Sequence, residues 1–483
     1  MNFHVSELVV SMRVWLDVED LLQYGRSGVR PSGIQRLAFE LYRALGEVDG
    51  NGQQIRFLRH DSTGQGFVTV PWSDLVRLFD RITATKPGVQ DAAPTPTPVP
   101  ARASLAWRVA RGAASCLPVP VRQSLGRAVY LQRQAVRELS GAARGVLGAL
   151  LRHRRRPDRG DEAGTMTGMK LEELARPGDV LAVMGSPWFC AGHDAMLRSA
   201  REDLGLRVVV MIYDIIPLRR PEWCDAVLAA TFRRWFHAVV PLADVVFTIS
   251  RASAEDIRAY AQGTGLKLAG PVVAVPIGTG FGAPPAVPAT LDRSRLPEPG
   301  SYALFVSTIE ARKNHALLFR VWRNLLESLP PGEVPTLVFA GRIGWMVADL
   351  LQQIRNSGHL DGKLLIIESP SDAELQALYE GCRFTLFPSL YEGWGLPVTE
   401  SLAFGKPCLV AATTSLPEAG GKLARYFDPE NVADATRMIR SAIIDKDGLR
   451  AWEAQVRQEF RPVPWTETAY AVLAAMALER AAA

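Results

Sequence analysis

The 483-residue sequence lacks the features that define several classes of protein. Its five cysteines are widely spaced and form no CxxC pair, which argues against a disulfide framework or a zinc site and favours a reducing compartment. The N-terminus has no basic segment followed by an apolar run, so we expect no secretory signal. The longest apolar stretch, 208–218, contains Asp214 and is too short to span a bilayer. Neither a GxSxG nor a Walker sequence is present.

Positive charge is concentrated in one segment. Lysine and arginine total 55 against 50 acidic residues, which gives a net charge of +5 and a pI near 9.0. Residues 101–160 contain thirteen arginines and two acidic residues, a charge of +11, so the rest of the chain carries −6. The sequence therefore indicates an acidic body with a cationic insert at about 82–168, in which a proline-rich run, 94–100, precedes the arginines.

The arginine-rich part of the insert has the pattern of an amphipathic basic helix, since side chains advance by about 100° per residue. The apolar face comprises Val121, Leu125, Val129, Val136, Leu139, Ala143, Val146, Leu147 and Leu150, and the opposite face Arg122, Arg127, Arg133, Arg137, Arg144 and Arg152. Two interpretations carry equal weight: the helix packs on the protein, or it lies on an anionic membrane surface. Nucleic-acid binding is disfavoured because Trp107 and Tyr130 are the only aromatic residues there.

Elsewhere, short apolar runs alternate with helical patterns, which predicts parallel α/β structure. Predicted strands cover 14–18, 179–184, 207–212, 245–249, 302–306, 336–340, 363–367, 384–387 and 408–411, and predicted helices 31–45, 221–237, 252–260, 315–329, 346–356, 372–380 and 397–403. We expect two Rossmann-like doubly wound domains that face a cleft, at 1–285 and 301–460, joined by a proline-rich linker at 286–300. A C-terminal helix within 461–483 is expected to pack back on the N-terminal domain.

The segment 389–400 is the most informative part of the sequence. It follows a predicted strand, turns on Gly393 and Gly395, and starts a helix near Pro397. The glycines permit close approach of the backbone to a ligand, and the free amides of the helix start favour an anion such as a diphosphate. Because Glu392 precedes the turn and Glu400 lies about one turn into the helix, the two carboxylates can serve different parts of one ligand.

These residues, within EGWGLPVTESLAFGKP, resemble the carboxylate motif of the retaining nucleotide-sugar glycosyltransferases of family 4, which have the GT-B fold. The segment 306–315, VSTIEARKNH, is similar to the strand-to-helix segment of that family. The resemblance is strong over 302–445. It is looser in the N-terminal half, where SGIQR, MIYDIIPLRRPEW, ADVVFTISRASAEDI and VPIGTGF stand in the expected order.

The resemblance implies roles for individual residues. Arg312 and Lys313 bind the donor diphosphate, Glu392 faces the donor sugar as a catalytic carboxylate, and Glu400 holds the ribose. Arg312 and Lys313 can stabilise the leaving diphosphate without a metal, and no DxD-like pair follows a strand, so we expect no metal and no cofactor. The remaining predicted donor-binding residues are Gly33, Thr308, Ile367, Gly393, Trp394, Gly395 and Leu396.

The acceptor side departs from the family pattern. Many members have a histidine where this chain has Tyr213, and we assign Tyr213 and Arg36 to acceptor or auxiliary roles. Asp214 is the nearest carboxylate and is predicted to be catalytic, by orienting the acceptor hydroxyl, although an aspartate after a strand is often a cap. His193 and His237 lack partners at metal-ligand spacing, so we expect structural roles for both.

The sequence thus predicts a metal-independent, retaining hexosyltransferase that uses a nucleotide sugar, with GDP or UDP as the leaving group. We expect a saccharide acceptor linked to a polyprenyl diphosphate, and a protein on the cytoplasmic face of the membrane that assembles bacterial surface polysaccharide. Two alternatives remain open: transfer to a soluble acceptor, and a nucleotide-sugar-binding subunit without turnover.

Overall fold

The computed structural model of the protein describes residues 12–27, 33–50, 54–61, 63–84, 168–280, 291, 293–330 and 332–481. The predicted proline-rich run and the amphipathic basic helix lie outside these residues. None of the helices that the structure describes is long and apolar enough to cross a membrane.

The N-terminal domain is built on a seven-stranded sheet. Its strands are β1 (Val14–Asp17), β2 (Ile55–His60), β3 (Phe67–Val70), β4 (Val180–Val183), β5 (Arg207–Ile212), β6 (Val245–Thr248) and β7 (Val272–Ala274). The strand order is β3-β2-β1-β4-β5-β6-β7, and β3 alone runs antiparallel to its neighbour. Strands β1, β4 and β6 are buried at every residue, as expected for short apolar runs covered by helices on both faces.

The helices of this domain fill the connections. They are α1 (Glu19–Ser27), α2 (Gly33–Asp49), α3 (Trp72–Ala84), α4 (Leu171–Leu174), α5 (His193–Glu202), α6 (Ile216–Arg219), α7 (Ala226–Val239) and α8 (Arg251–Thr264). Their inner faces form a core with the sheet around Trp15, Phe232 and Phe236.

The C-terminal domain has a six-stranded parallel sheet. Its strands are β8 (Tyr302–Val306), β9 (Thr336–Ala340), β10 (Leu364–Ile367), β11 (Phe384–Phe387), β12 (Cys408–Ala411) and β13 (Arg425–Phe427), in the order β10-β9-β8-β11-β12-β13. Its helices are α9 (His315–Ser328), α10 (Ala348–Asn356), α11 (Gly358–Asp361), α12 (Asp372–Gly381), α13 (Leu396–Ala403), α14 (Leu416–Gly420), α15 (Val432–Ile444) and α16 (Lys446–Glu459).

The last helix returns to the first domain. Helix α17 (Trp465–Ala481) packs along α2. The Arg207 guanidinium at the start of β5 donates to the Met476 carbonyl at 2.8 Å, and the Trp465 indole donates to the Gly280 carbonyl at 2.8 Å. The C-terminal helix is therefore anchored on the N-terminal domain.

Some element boundaries differ from the sequence predictions, for local reasons. The predicted helix 221–237 is broken, because Asp225 accepts hydrogen bonds from the amides of Val227 and Leu228 and starts α7 there. The predicted helix 346–356 begins instead at Ala348, since Met346 has a φ of 59°. Strands β2 and β3 were not predicted, and in β2 two arginines interrupt the apolar pattern.

In both sheets, strand order reverses between two neighbouring parallel strands, β1 and β4 in one and β8 and β11 in the other. The predicted α/β class with two Rossmann-like domains is confirmed. In open sheets of this kind, ligands bind beyond the carboxyl ends of the strands at the point of reversal. Ligand-binding residues are therefore expected in the loops that follow these four strands.

Candidate active site

The loops after β8 and β11 meet at the reversal point of the C-terminal sheet. Residues Ala311–Lys313 form one turn of 3-10 helix, which ends at Asn314 with a φ of 60°. The side-chain amide of Asn314 donates to the carbonyls of Pro388 and Pro429 at 3.3 and 3.0 Å. The main-chain amide of Leu390 donates to the Arg312 carbonyl at 3.0 Å. These bonds fix the basic turn against the end of β11.

The turn presents Arg312 and Lys313 to Glu392. Arg312 Nη1 lies 2.9 Å from Glu392 Oε2, and Lys313 Nζ lies 2.5 Å from Glu392 Oε1. A second carboxylate, buried Glu310, accepts from Arg312 Nη2 at 2.8 Å. Burial opposes ionisation of Glu392, but the two cations lower its pKa to about 2. The predicted diphosphate-binding pair and the predicted catalytic carboxylate thus form one charged cluster.

Two hydroxyl side chains after β12 hold the main chain of Glu392. Thr414 Oγ1 accepts from the Glu392 amide at 3.0 Å, and Ser415 Oγ lies 2.9 Å from both the Glu392 and the Trp394 carbonyls, to either of which it donates. Neither hydroxyl residue belongs to the sequence motifs described above. A usable signal was present, because hydroxyl residues at 413–415 directly follow a buried parallel strand.

Gly393 lies where the N-terminal domain contacts the loop that carries Glu392. A Cβ atom on Gly393 would lie 2.7 Å from the Tyr213 carbonyl oxygen and 3.0 Å from Asp214 Cβ, so only glycine permits this approach. Ser253 Oγ is 3.1 Å from the Tyr213 carbonyl and 3.4 Å from the Gly393 carbonyl. The carboxyl end of β5 therefore abuts the loop after β11, and the structure brings the predicted catalytic residues Asp214 and Glu392 together.

Asp214 and Tyr213 make different uses of this position. Asp214 Oδ1 accepts from the Ile216 amide at 2.9 Å, and burial raises the pKa of the Asp214 carboxyl despite the nearby charge of Arg312. The Tyr213 hydroxyl donates to the Met184 carbonyl at 2.5 Å, and burial raises its pKa. Tyr213 thus meets the other domain through its main chain rather than its side chain.

Glu400 occupies a second part of the site, on the first helix after the glycine turn. Its Oε2 accepts from the Tyr379 hydroxyl at 2.8 Å, and burial raises the pKa of the Glu400 carboxyl. Arg36 of the N-terminal domain forms an ion pair with Asp372 at 3.2 Å, and its charge also acts on Glu400. Arg36, predicted to have an acceptor or auxiliary role, therefore contacts the C-terminal domain close to Glu400.

The remaining predicted donor-binding residues lie on both domains. A Cβ atom on Gly33, the first residue of α2, would lie 3.7 Å from Leu396 Cδ1, which places this helix start beside the glycine turn. Gly395 has a φ of 114° and abuts Leu416. Thr308 packs its methyl group on Gly344, and Trp394 is partly buried against the C-terminal core. Ile367 points into the core, so only its main chain can meet a ligand.

A buried network at the reversal point of the N-terminal sheet also escaped sequence analysis. Asp17 Oδ2 lies 2.9 Å from His193 Nε2 and 3.4 Å from His60 Nε2. The potential ligand atoms of these three residues lie within 4.8 Å of one another, close enough to hold a metal ion. His193 therefore has partners after all, and spacing could not reveal them because they lie on β1 and β2.

The directions of the hydrogen bonds in this network favour a hydrogen-bonded chain over a metal site. The Trp235 indole donates to His193 Nδ1 at 3.1 Å, so Nδ1 is unprotonated and Nε2 carries the proton that faces Asp17. Burial alone would raise the pKa of Asp17, but hydrogen bonds from His193 and His60 hold it far below the ordinary value. His60 responds in the opposite direction: burial lowers its pKa, Asp17 raises it, and the net shift is upward.

Comparison with known proteins finds glycosyltransferases that are similar to the part of the chain that carries this site. Residues 288–459 match the family model described as "Glycosyl transferases group 1", so the C-terminal part of the chain is a domain of that kind. The chain is 27% identical over 266 residues to the serotype-specific mannosyltransferase WbdA of Escherichia coli, a match that covers 53% of this chain and 31% of WbdA.

A second relative is the O-antigen chain mannosyltransferase B of Escherichia coli, 33% identical over 144 residues, which cover 30% of this chain and 37% of the relative. The chain thus spans about a third of the length of these curated relatives. Among solved structures, the crystal structure of TarM aligns with a TM-score of 0.47 and 13% identity over 64% of this chain and 56% of TarM. The chain carries a glycosyl transferases group 1 domain homologous to mannosyltransferases.

Proposed function

We propose that the protein is a retaining hexosyltransferase that moves mannose from a nucleoside-diphosphate donor to a saccharide acceptor in the assembly of a bacterial surface polysaccharide. The names of the two Escherichia coli relatives support mannose as the sugar and a polysaccharide as the product class. The donor is proposed to carry GDP or UDP, and the acceptor to be linked to a lipid.

One observation carries the proposal. Arg312, Lys313 and Glu392 form a buried charged cluster at the reversal point of the C-terminal sheet, and Asp214 of the other domain lies against it through Gly393. Cations in a water-poor site are suited to a leaving diphosphate, and carboxylates are suited to sugar hydroxyls. A donor held by the C-terminal domain would then meet an acceptor held by the N-terminal domain.

The proposed reaction forms a bond between the acceptor oxygen and the anomeric carbon while the bond from that carbon to the β-phosphate oxygen breaks. The acceptor proton passes to a β-phosphate oxygen on the same face of the sugar, which gives retention of configuration. Arg312 and Lys313 stabilise the charge that develops on the diphosphate, so catalysis is expected to survive removal of divalent metals. Glu392, whose pKa is about 2, acts as an ionised carboxylate beside the sugar and not as a proton donor.

The donor is tested by thermal unfolding with GDP, UDP, ADP and dTDP, followed by release of the nucleoside diphosphate from the matching nucleotide sugars. A nucleotide at 100 times its Kd is expected to stabilise the protein by about 2.7 kcal/mol. Slow release from GDP-mannose or UDP-hexose, insensitive to EDTA, supports the proposed enzyme. Binding without release, whatever the acceptor, would identify a sugar-nucleotide-binding subunit instead.

The lipid-linked acceptor is tested through the cationic insert, which lies outside the described residues. We expect the chain that lacks 101–160 to lose co-sedimentation with vesicles containing anionic phospholipid, since the deletion removes a charge of +11. Turnover of a water-soluble acceptor analogue should be kept. Unchanged sedimentation would remove the membrane role of the insert and favour a soluble acceptor.

A further inference from the structure

A carboxylate of the C-terminal domain caps a helix of the N-terminal domain. Glu418, on α14, accepts at Oε2 from the Arg251 amide at 2.9 Å and at Oε1 from the Ala252 amide at 2.8 Å. The Arg251 side chain adds a third contact, from Nε to Oε2 at 3.3 Å. Both amides belong to the first turn of α8, where helix amides have no partner within the helix.

The cap is made by a well-placed carboxylate. The Glu418 side chain is 17% exposed, whereas the Arg251 side chain is 78% exposed, so the main-chain bonds dominate the contact. Ser250 already caps its own helix, by accepting from the Ser253 amide. Glu418 thus adds two bonds that join the domains, at the helix end where negative charge is most favourable.

Both partners in this contact connect directly to the candidate active site. Ser415, three residues before Glu418, holds the carbonyls of Glu392 and Trp394. On the other side, Ser253 in the first turn of α8 contacts the carbonyls of Tyr213 and Gly393. The same two short segments therefore carry the interdomain cap and position the two halves of the site.

We propose that Glu418 is a positioning residue that holds the two domains together so that Asp214 lies against Gly393 beside the bound donor. The consequence for turnover rests on the function proposed above, whereas the effect on domain contact does not. Loss of the cap is expected to reduce the fraction of molecules in which the site is complete, and so to lower kcat more than the affinity for the nucleoside diphosphate, whose proposed cationic contacts, Arg312 and Lys313, both lie in the C-terminal domain.

The test uses the full chain with Glu418→Gln, which keeps the shape of the side chain but turns an amide NH₂ toward one of the two helix amides. Hydrogen exchange of the peptide that spans the start of α8 should accelerate by roughly tenfold, the ratio expected when bonds to a charged group are lost. The radius of gyration from small-angle scattering should rise. With a working donor, kcat should fall by roughly tenfold, and Kd for the nucleoside diphosphate should change by less than about twofold.

The matched control is Glu327→Gln on α9 of the same domain, which removes an exposed intrahelical pair with Arg323 at 3.5 Å. It should leave exchange at α8, the radius of gyration and kcat unchanged. Glu418→Ala provides a second variant, expected to show the same changes with a larger loss of protection. Wild-type exchange at α8 in both Glu418 variants would overturn the proposal, as would an equal loss of kcat and of nucleotide affinity. Failure to find any active donor leaves the exchange and scattering results decisive.

Discussion

The two sheets reverse their strand order at equivalent positions but carry opposite charge there. In the C-terminal sheet, two cations from the loop after β8 surround Glu392 from the loop after β11. In the N-terminal sheet, the corresponding strand β1 ends at buried Asp17, and buried Asp20 follows it on α1. Asp17 is bonded to His193 and His60, and neither carboxylate pairs with a lysine or arginine among the described residues. The fold thus offers two equivalent places for ligands, and the side chains make only the C-terminal one suitable for an anion.

This difference fits a division of labour. A diphosphate needs positive charge. A saccharide presents hydroxyl groups, which donate to carboxylates and main-chain carbonyls and accept from main-chain amides. Under the proposed function, the carboxylates that follow β1 would repel a nucleoside diphosphate, which favours the C-terminal sheet as the place where the proposed donor binds. The difference in charge therefore favours the donor at the C-terminal sheet and the acceptor at the N-terminal sheet in the proposed transfer.

The largest expected effect comes from Glu392→Gln, which removes the only acidic side chain that touches both cations among the described residues. Turnover should fall by about 10²–10³-fold, the loss typical of one preorganised electrostatic contact. Affinity for the nucleoside diphosphate should stay the same or increase, because Arg312 and Lys313 no longer share their charge with Glu392. Near wild-type turnover, measured on folded protein, would remove Glu392 from the catalytic set.

The next effect is expected from Gly393→Ala, which keeps every charge but places a methyl group 2.7 Å from the Tyr213 carbonyl oxygen. The domains must move apart, and kcat should fall by about 10–100-fold. The matched control is Gly46→Ala in α2, where a Cβ atom meets nothing within 4 Å and the free energy of unfolding should rise by about 0.5–1 kcal/mol. Equal kinetics for both variants would show that close domain contact is unimportant.

Gly393 also shows how far the sequence alone could lead. The glycine turn, the basic pair after β8 and the carboxylate at 392 are local patterns, and the structure places them together. That Gly393 meets Tyr213 in the other domain depends on how the domains pack, which no local pattern encodes. The same holds for Glu418, whose partners are 166 and 167 residues away.

Asp17 and His193 illustrate a second reason for failure. The two residues are 176 positions apart, and neither stands in a motif. Strand β2, which brings His60 into the network, was not predicted because Arg56 and Arg59 interrupt its apolar run. An apolar pattern is therefore a poor indicator of a strand whose arginine positions are only partly buried.

A smaller effect, on stability, is expected from Asp20→Asn. Burial, with Asp17 adding to it, raises the pKa of the Asp20 carboxyl to about 6, although Ser186 donates to Oδ2 from its amide at 2.9 Å. The native state therefore holds a proton that the unfolded chain loses near pH 4, and the wild-type protein should lose stability as the pH rises from about 4 to 6.

Asparagine removes this dependence. At pH 7 the free energy of unfolding of the Asp20→Asn variant should exceed that of the wild type by about 1–3 kcal/mol. Urea unfolding from pH 4 to 8 measures this difference. Asp447→Asn, at a side chain that is 89% exposed, is the control and should leave the pH profile unchanged. Parallel profiles for Asp20→Asn and the wild type would mean that Asp20 is ionised without cost in the native protein.

The smallest effect is expected from Trp235→Phe, which tests whether the indole hydrogen bond fixes the tautomer of His193. Without the indole donor, His193 Nδ1 can carry the proton, and the Nε2 lone pair then faces the Asp17 carboxylate. Two acceptors in contact repel unless a cation lies between them, so this variant should gain stabilisation by Zn²⁺ while losing about 1 kcal/mol without it. Trp452→Phe, which removes a 2.7 Å indole bond to the Leu423 carbonyl, should lose similar stability and show no response to Zn²⁺. A Zn²⁺-dependent rise in the Tm of the wild type, abolished by Asp17→Asn, would show instead that Trp235 does not fix the tautomer and that both sheets bind charge at their reversal points.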